Sequence, residues 1–290
     1  MDYRRLGNSG LEVSVLSLGT WITFGGIIGR GAARELVGCA FDAGINLFHS
    51  SESHAQGQAQ NLLGDVIADL RLPRDAFCVS SSIGTGAVPD PRPTQRGLSH
   101  KHLRDGVDAA LKRLHVEYLD LCFCQWPDQA TPVEEAVTAM DALIHQGKVL
   151  YWGTSGWPVE EIAQAIDFAR DNGLVAPSAE QSPYHLLHRE RVERELAPLL
   201  PHPGLAVASS PADRHETKMA RIDAFAHSLG AEPAALAMAW CLANPHVATV
   251  ILECSSVAQF EANLQALEWV EKFDAELMAA LDAALAATAM

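Results

Sequence analysis

Phe48-His49-Ser50-Ser51-Glu52-Ser53-His54 brings two imidazoles and a carboxylate together just after the apolar run that begins at Ile45. Paired histidines suit acid–base catalysis near neutral pH, and Glu52 is placed to tune one of them. As metal ligands, His49, Glu52 and His54 follow no recognised spacing, so no metal site is assigned. The bland alternative is that both rings are ordinary polar fillings, and the residues alone leave the two readings open. Ser80-Ser81-Ser82 offers hydroxyls on alternate faces of a strand. Without a Gly-x-Ser-x-Gly elbow, they read as small space-filling residues rather than as a nucleophile. Gln125 and Trp126 close another apolar run, with an amide and a ring for a ligand or for packing under the Gly84–Leu98 loop.

A strand that turns polar ahead of a helix is where α/β proteins carry chemistry. Apolar strands are expected near Ser14–Trp21, Ile45–Phe48, Phe77–Ser82, Leu119–Gln125, Val149–Thr154, Ser178–Gln181, Leu205–Ser209 and Ala248–Leu252. Helical segments alternate with them. In His102–Leu114, for example, Leu103, Val107, Ala110, Leu111 and Leu114 share one face. The alternation predicts an α/β fold, a (β/α)8 TIM barrel forming one domain over residues 1–290. Tyr3 to Val13, turned at Gly7-Asn8-Ser9-Gly10, reads as an N-terminal β-hairpin plugging the bottom. The Ala- and Leu-rich helix Ala275–Ala286 packs outside, and the proline- and glycine-rich loop Gly84–Leu98 is a candidate cover for the mouth.

The formal charge of -15 argues against nucleic acid and anionic membranes, both of which demand clustered Lys and Arg. No apolar run is long enough to span a bilayer, and no apolar signal core follows Met1, so a cytoplasmic location is expected. The six scattered cysteines read as reduced core thiols. A small-molecule ligand or substrate is the expected partner, and the sequence leaves the oligomeric state open.

A series of phrases then carries a resemblance. Tyr3-Arg4-Arg5-Leu6-Gly7-Asn8-Ser9-Gly10-Leu11, Leu18-Gly19-Thr20-Trp21 and Asp42-Ala43-Gly44-Ile45-Asn46 come first. They are followed by Tyr118-Leu119-Asp120-Leu121, Gly147-Lys148-Val149, Gly153-Thr154-Ser155 and Glu180-Gln181-Ser182-Pro183-Tyr184-His185. From Tyr3 to about Glu268 the chain resembles the aldo-keto reductases, nearest the potassium-channel β-subunit-like branch. The resemblance implies an eight-stranded barrel that reduces carbonyls with NADPH through an Asp-Tyr-Lys-His tetrad. In that chemistry the Tyr donates a proton, the Lys lowers its pKa, the Asp holds the Lys, and the His orients the carbonyl. Aligned on those phrases, His49 stands at the Asp position, His54 at the Tyr, Ser82 at the Lys and Gln125 at the His.

The resemblance also assigns a cofactor set. Ser155 and Gln181 match carboxamide contacts, but Gly156 replaces an Asn. Ala208-Ser209-Ser210-Pro211-Ala212 lacks the aromatic that stacks on nicotinamide, and the chain reaches the next helix near Thr217 with the pyrophosphate strap largely gone. The adenosine-phosphate motif reads Leu252-Glu253-Cys254-Ser255-Ser256 with Gln259, Ala262 and Asn263. Glu253 there replaces a glycine and adds a like charge. These departures lead to an expectation of no cofactor, with NADPH binding weak or absent and Ser155, Gln181, Ser255, Ser256, Gln259 and Asn263 vestigial.

The function expected is non-redox acid–base chemistry on a small organic molecule (cyclisation, isomerisation or elimination), with His49 and His54 as proton carriers. Trp21, Glu52, Ser82, Gln125, Trp126, Ser155 and Gln181 would bind substrate, and Trp157 would shield the rim. The alternatives are a pseudoenzyme binding a metabolite or partner protein, and an NADPH-dependent carbonyl reductase with an altered proton donor.

Overall fold

The computed structural model describes residues 1–200, 204–208 and 216–286. Strands β1 (Tyr3–Arg5) and β2 (Glu12–Ser14) pair antiparallel. Gly7, in the turn between them, has φ +57°, and a Cβ there would lie 1.9 Å from the carbonyl oxygen of Ser178. Only glycine allows this approach. Leu6 and Val13, both fully buried, join Leu47, Cys78, Leu121, Phe123, Ala179, Ala206, Ala248 and Ile251 in one apolar cluster. That cluster is the barrel interior, so the hairpin closes the end from which the strands start. Arg4 locks it there by donating to the carbonyls of Leu242 (2.8 Å) and Val247 (2.7 Å).

Eight parallel strands follow: β3 (Leu16–Gly19), β4 (Leu47–Ser51), β5 (Cys78–Ile83), β6 (Leu119–Gln125), β7 (Val149–Ser155), β8 (Ala179–Pro183), β9 (Leu205–Ala208) and β10 (Val247–Leu252). They close in the order β10-β3-β4-β5-β6-β7-β8-β9, which leaves no sheet edge unpaired. The outer layer contains α1 (Arg30–Asp42), α2 (Gln58–Leu70), α3 (His100–Leu114), α4 (Val133–His145) and α5 (Val159–Asn172). After β8, a π-helical turn at Arg191–Leu196 runs into α6 (Ala197–Leu199). Then come α7 (Glu216–Leu229), α8 (Pro233–Ala243), α9 (Val257–Leu264), α10 (Ala266–Val270) and α11 (Ala275–Ala286). Among the described residues no helix is long and apolar enough to cross a membrane.

Strand alternation decides which side chains reach the interior. Leu47 belongs to the inner cluster and Phe48 to the layer beneath the helices; Leu121 and Phe123 face in, Cys122 and Cys124 out. All six cysteines are free thiols, and five of them are buried. The same alternation turns His49 inward, one layer above Leu47.

Sequence reading ended this strand at Phe48, yet β4 continues to Ser51. The β4–β5 ladder runs unbroken from Leu47↔Cys78 to Ser51↔Ser82, and the Glu52 N–H still donates to the Ser82 carbonyl (3.1 Å). Main-chain pairing is indifferent to side-chain polarity when the hydroxyls find partners, as Ser51 does on the carbonyl of Ser82 (3.2 Å). His49 therefore belongs to the sheet.

The plug supplies a test of barrel stability. Leu6→Ala empties a sealed interior position and should lower unfolding free energy by about 2–5 kcal/mol in chemical denaturation. An unchanged midpoint would show that the hairpin is not part of the cooperative unit.

Candidate active site

His49 is buried at 3% exposure and its ring is held from both sides. Nδ1 lies 2.8 Å from Ser80 Oγ, and Nε2 lies 3.1 Å from Gln181 Nε2. Ser82 Oγ donates to the other end of that amide, Gln181 Oε1, at 3.3 Å. An amide nitrogen can only donate, so His49 Nε2 accepts and Nδ1 carries the proton toward Ser80. Phe123 meets the ring edge-on, with centroids 5.8 Å apart. Burial, then the neighbouring His54, pushes the His49 pKa down to about 3. This ring is a neutral, fully employed hydrogen-bonding element.

His54 differs. It sits on the short 3-10 turn His54–Gly57 after β4, its ring centroid 6.1 Å from that of His49. Nδ1 is 3.0 Å from Thr20 Oγ1, and the Thr20 hydroxyl donates to Ser50 Oγ at 2.9 Å. Since the Thr20 proton is committed to Ser50, its oxygen accepts from His54 Nδ1–H, and Nε2 is left with a lone pair. Among the described residues Nε2 has no hydrogen-bond partner. Burial lowers the pKa to about 4, so the ring is neutral at physiological pH. Thr20 did not stand out in the sequence as a partner of His54, because nothing local ties it to a histidine 34 residues away.

Glu52 faces the other way. Its Oε1 accepts from the Gly84 and Gly86 N–H groups at 2.7 Å each and lies 3.1 Å from Nε2 of His102 on α3. The carboxylate anchors the start of the Gly84–Leu98 loop, whose far end returns through Gly97 N–H on the Gly84 carbonyl (2.7 Å). The histidine beside Glu52 is thus His102, fifty residues away and without any local sequence signal.

At the strand ends, Ser155 and Gln181 are neighbours in the β7–β8 register. Gln125 Oε1 accepts from Ser51 Oγ at 3.3 Å. Trp126 has a left-handed backbone (φ +57°), unusual for a bulky residue, and is 54% exposed. Its ring lies over Gly156, where an added Cβ would come within 2.5 Å of it. The substitution read at Gly156 is therefore coupled to this tryptophan: any larger residue would displace the ring. Trp157 is buried and donates Nε1–H to the Cys124 carbonyl (2.8 Å), which places it under the rim.

Trp21, half exposed on the loop after β3, gives its main-chain N–H to Glu253 Oε1 (3.2 Å), and Ile22 gives its own to Oε2 (3.4 Å). Burial lifts the Glu253 carboxyl to about 7, and those two N–H groups hold it down. Gly19 leaves room for this carboxylate: a Cβ there would stand 2.2 Å from Glu253 Oε1 and 2.7 Å from Ile251 Cγ2. The charge expected to face a phosphate is turned toward the β3 loop. Ser255 and Ser256 are exposed ahead of α9, Gln259 is exposed in its first turn, and Asn263 is buried with Nδ2 on Cys254 Sγ (3.3 Å). The expectations for residues 209–215, the missing aromatic and the shortened strap, lie outside the described residues.

This is a (β/α)8 barrel protein with a buried histidine site at the C-terminal ends of its strands. The chain belongs to the aldo/keto reductase family, whose sequence profile matches residues 15–212 and 206–286. It is 34% identical over 303 aligned residues to a probable voltage-gated potassium channel subunit beta from Arabidopsis thaliana, with 92% of each chain covered.

These matches overturn the expectation of no cofactor and point to a nicotinamide cofactor. The residues fit one. Ser155 and Gln181 bring a hydroxyl and an amide together, a donor–acceptor set complementary to a carboxamide, and α9 begins directly after the last barrel strand, where such barrels hold phosphate groups. The earlier expectation counted Glu253 as a charge against the cofactor, but its carboxylate points to Trp21 and Ile22.

The two rings predict a pH signature. Each folded-state pKa lies below the ordinary 6.5, so the unfolded chain binds more protons, and their contribution to stability is lost as pH falls from about 6.5 through 4 and 3. Glu180 and Glu253, raised from 4.5 to about 7, act oppositely and lose theirs as pH rises across that range. NMR of the imidazoles isolates the histidines: His49 and His54 should stay neutral from pH 8 to 5, with Nδ1 protonated. A midpoint near 6.5 for either ring would show an open, hydrated site.

Proposed function

We propose that this chain is a nicotinamide-dependent oxidoreductase of small hydroxyl or carbonyl compounds in which His54 exchanges the substrate proton. The reading takes the four tetrad positions as substituted, by His49, His54, Ser82 and Gln125. One observation carries it: His54 is fixed through Nδ1 and keeps an unshared Nε2 lone pair. Burial keeps that imidazole unprotonated near neutral pH, so Nε2 is in the state to accept a proton and has none to give, while the same low pKa makes it a weak base. The favoured direction is therefore removal of a hydroxyl proton, that is, oxidation of an alcohol to a carbonyl. The nicotinamide, when bound, supplies the hydride transfer. Ser155 and Gln181 would hold its carboxamide, His49 keeps Gln181 oriented from below, and Trp21 and Trp126 frame the opening.

A second reading uses the same proton acceptor without hydride transfer, as in isomerisation or elimination. It draws on the Trp126 ring over Gly156, which takes up room beside the Ser155–Gln181 pair.

His54→Gln separates these roles. Nucleotide binding, followed by fluorescence, should be unchanged, while alcohol oxidation followed by nicotinamide absorbance should fall about 10²-fold or more. Wild-type turnover in the variant would remove His54 from the chemistry. Loss of a non-redox proton exchange with no absorbance change in either protein would favour the second reading. Nucleotide bound with no turnover of any kind would indicate a binding role alone.

A further inference from the structure

Among the described residues, the non-glycine positions with left-handed backbones are Ala55, Gln56, Arg71, His115 and Trp126. Arg71 and His115 end α2 and α3, where a left-handed cap is ordinary. Ala55 and Gln56 are different. They are adjacent, at φ/ψ 46°/38° and 57°/43°, and they follow His54 directly. Gly57 continues at φ +81°, so three left-handed residues run in succession. A Cβ makes this conformation costly, and neither alanine nor glutamine has the short polar side chain that eases it.

The surroundings hold the turn shut. The Gln56 N–H donates back to the Ser53 carbonyl (3.1 Å). On one side, Gly25 of the loop after β3 approaches so closely that a Cβ on it would stand 3.1 Å from the Ala55 Cβ and 3.2 Å from the Ala59 nitrogen. On the other, Arg113 of α3 lies over Gly57, with its Nε 2.9 Å from where a Cβ would be. The same guanidinium donates to Gln60 Oε1 (2.8 Å), and Gln60 Nε2 donates to Ser81 Oγ on β5 (2.8 Å). The first turn of α2 is thereby pinned to its neighbours. The loop after β3 grips this segment twice, at His54 through Thr20 and at Ala55 through Gly25. Backbone strain persists where the surrounding structure over-determines it, and here it falls on the residues next to the unshared imidazole nitrogen.

We propose that Ala55-Gln56-Gly57 is a strained positioning turn: the barrel gives up stability there to hold the His54 ring on Thr20 with Nε2 free for the substrate proton. The role of that proton rests on the reading above; the strain and the placement of the ring do not.

Gln56→Gly tests the proposal, because that side chain is exposed and makes no hydrogen bond among the described residues. Gln56→Ala removes the same side chain but keeps the backbone restriction, so the glycine variant is read against it. Relative to Gln56→Ala, glycine should raise the folding equilibrium constant roughly tenfold in chemical denaturation. Alcohol oxidation should nevertheless slow about tenfold in kcat, with KM for the nucleotide unchanged. NMR should show His54 as the single Nδ1–H tautomer in the alanine variant and as both tautomers in the glycine variant. A role in folding alone would move stability and turnover in the same direction. Equal stability of the two variants would overturn the strain, and greater stability with unaltered tautomer and kcat would overturn the positioning. Where wild type oxidises no alcohol, the proton-acceptor reading fails, while stability and tautomer still decide the placement.

Discussion

A carboxylate removed from water must find donors, and in this barrel the donors at the mouth are main-chain N–H groups of loops. Three glutamates use them, Glu52 and Glu180 fully buried and Glu253 partly so. Glu52, at the end of β4, holds Gly84 and Gly86 of the loop after β5. Glu180, on β8, holds Gly156 of the loop after β7 at 2.8 Å. Glu253, after β10, holds Trp21 and Ile22 of the loop after β3. Each reaches from one strand to the loop of another, so the rim is cross-tied by side chains the closed sheet holds rigid. For Glu180 and Glu253 burial wins far enough to lift the carboxyl to about 7, so these ties sit near the balance between desolvation and hydrogen bonding.

Inside that rim the two histidines divide the work because their partners differ. His49 spends both nitrogens on Ser80 and Gln181, and Gln181 spends its other end on Ser82. That chain of neutral groups stabilises orientation, since the His49 ring and the Gln181 amide are each held at both ends and no ion needs solvation. His54 has one nitrogen on Thr20, which is tied in turn to Ser50, and the other without a partner among the described residues. Two residues of one type, five positions apart, thus differ in hydrogen bonding, one held through both nitrogens and one through a single nitrogen, and the distinction lies in what surrounds them.

The barrel was legible in the sequence because its signal is local and repeated. Apolar runs alternating with three-to-four periodic segments located all eight barrel strands and the hairpin. His49 and His54 were also visible, since polar residues interrupt an apolar strand there. Their hydrogen-bond partners were not: Thr20, Ser80 and Gln181 lie 34, 31 and 132 residues away, and no periodicity links them. The direction of Glu253 was equally hidden. A residue type at an aligned position reveals a charge but not where it points, and Glu253 was one of several departures, with Gly156 and the shortened strap, behind the expectation of an absent cofactor.

On the proposed reading, the substitutions at the four strand ends are one electrostatic change. The family's Asp–Lys pair is a fixed cation and anion beside the proton donor, and its work is to lower that donor's pKa. With His49 and Ser82 in those places the surroundings of His54 are neutral, and burial acts on the imidazole without opposition. A phenol in such a place would be driven up and would hold its proton too tightly to exchange it. An imidazole is driven down and remains an acceptor. On that reading an imidazole at position 54 suits surroundings without an ion pair, because a neutral ring needs no counter-charge.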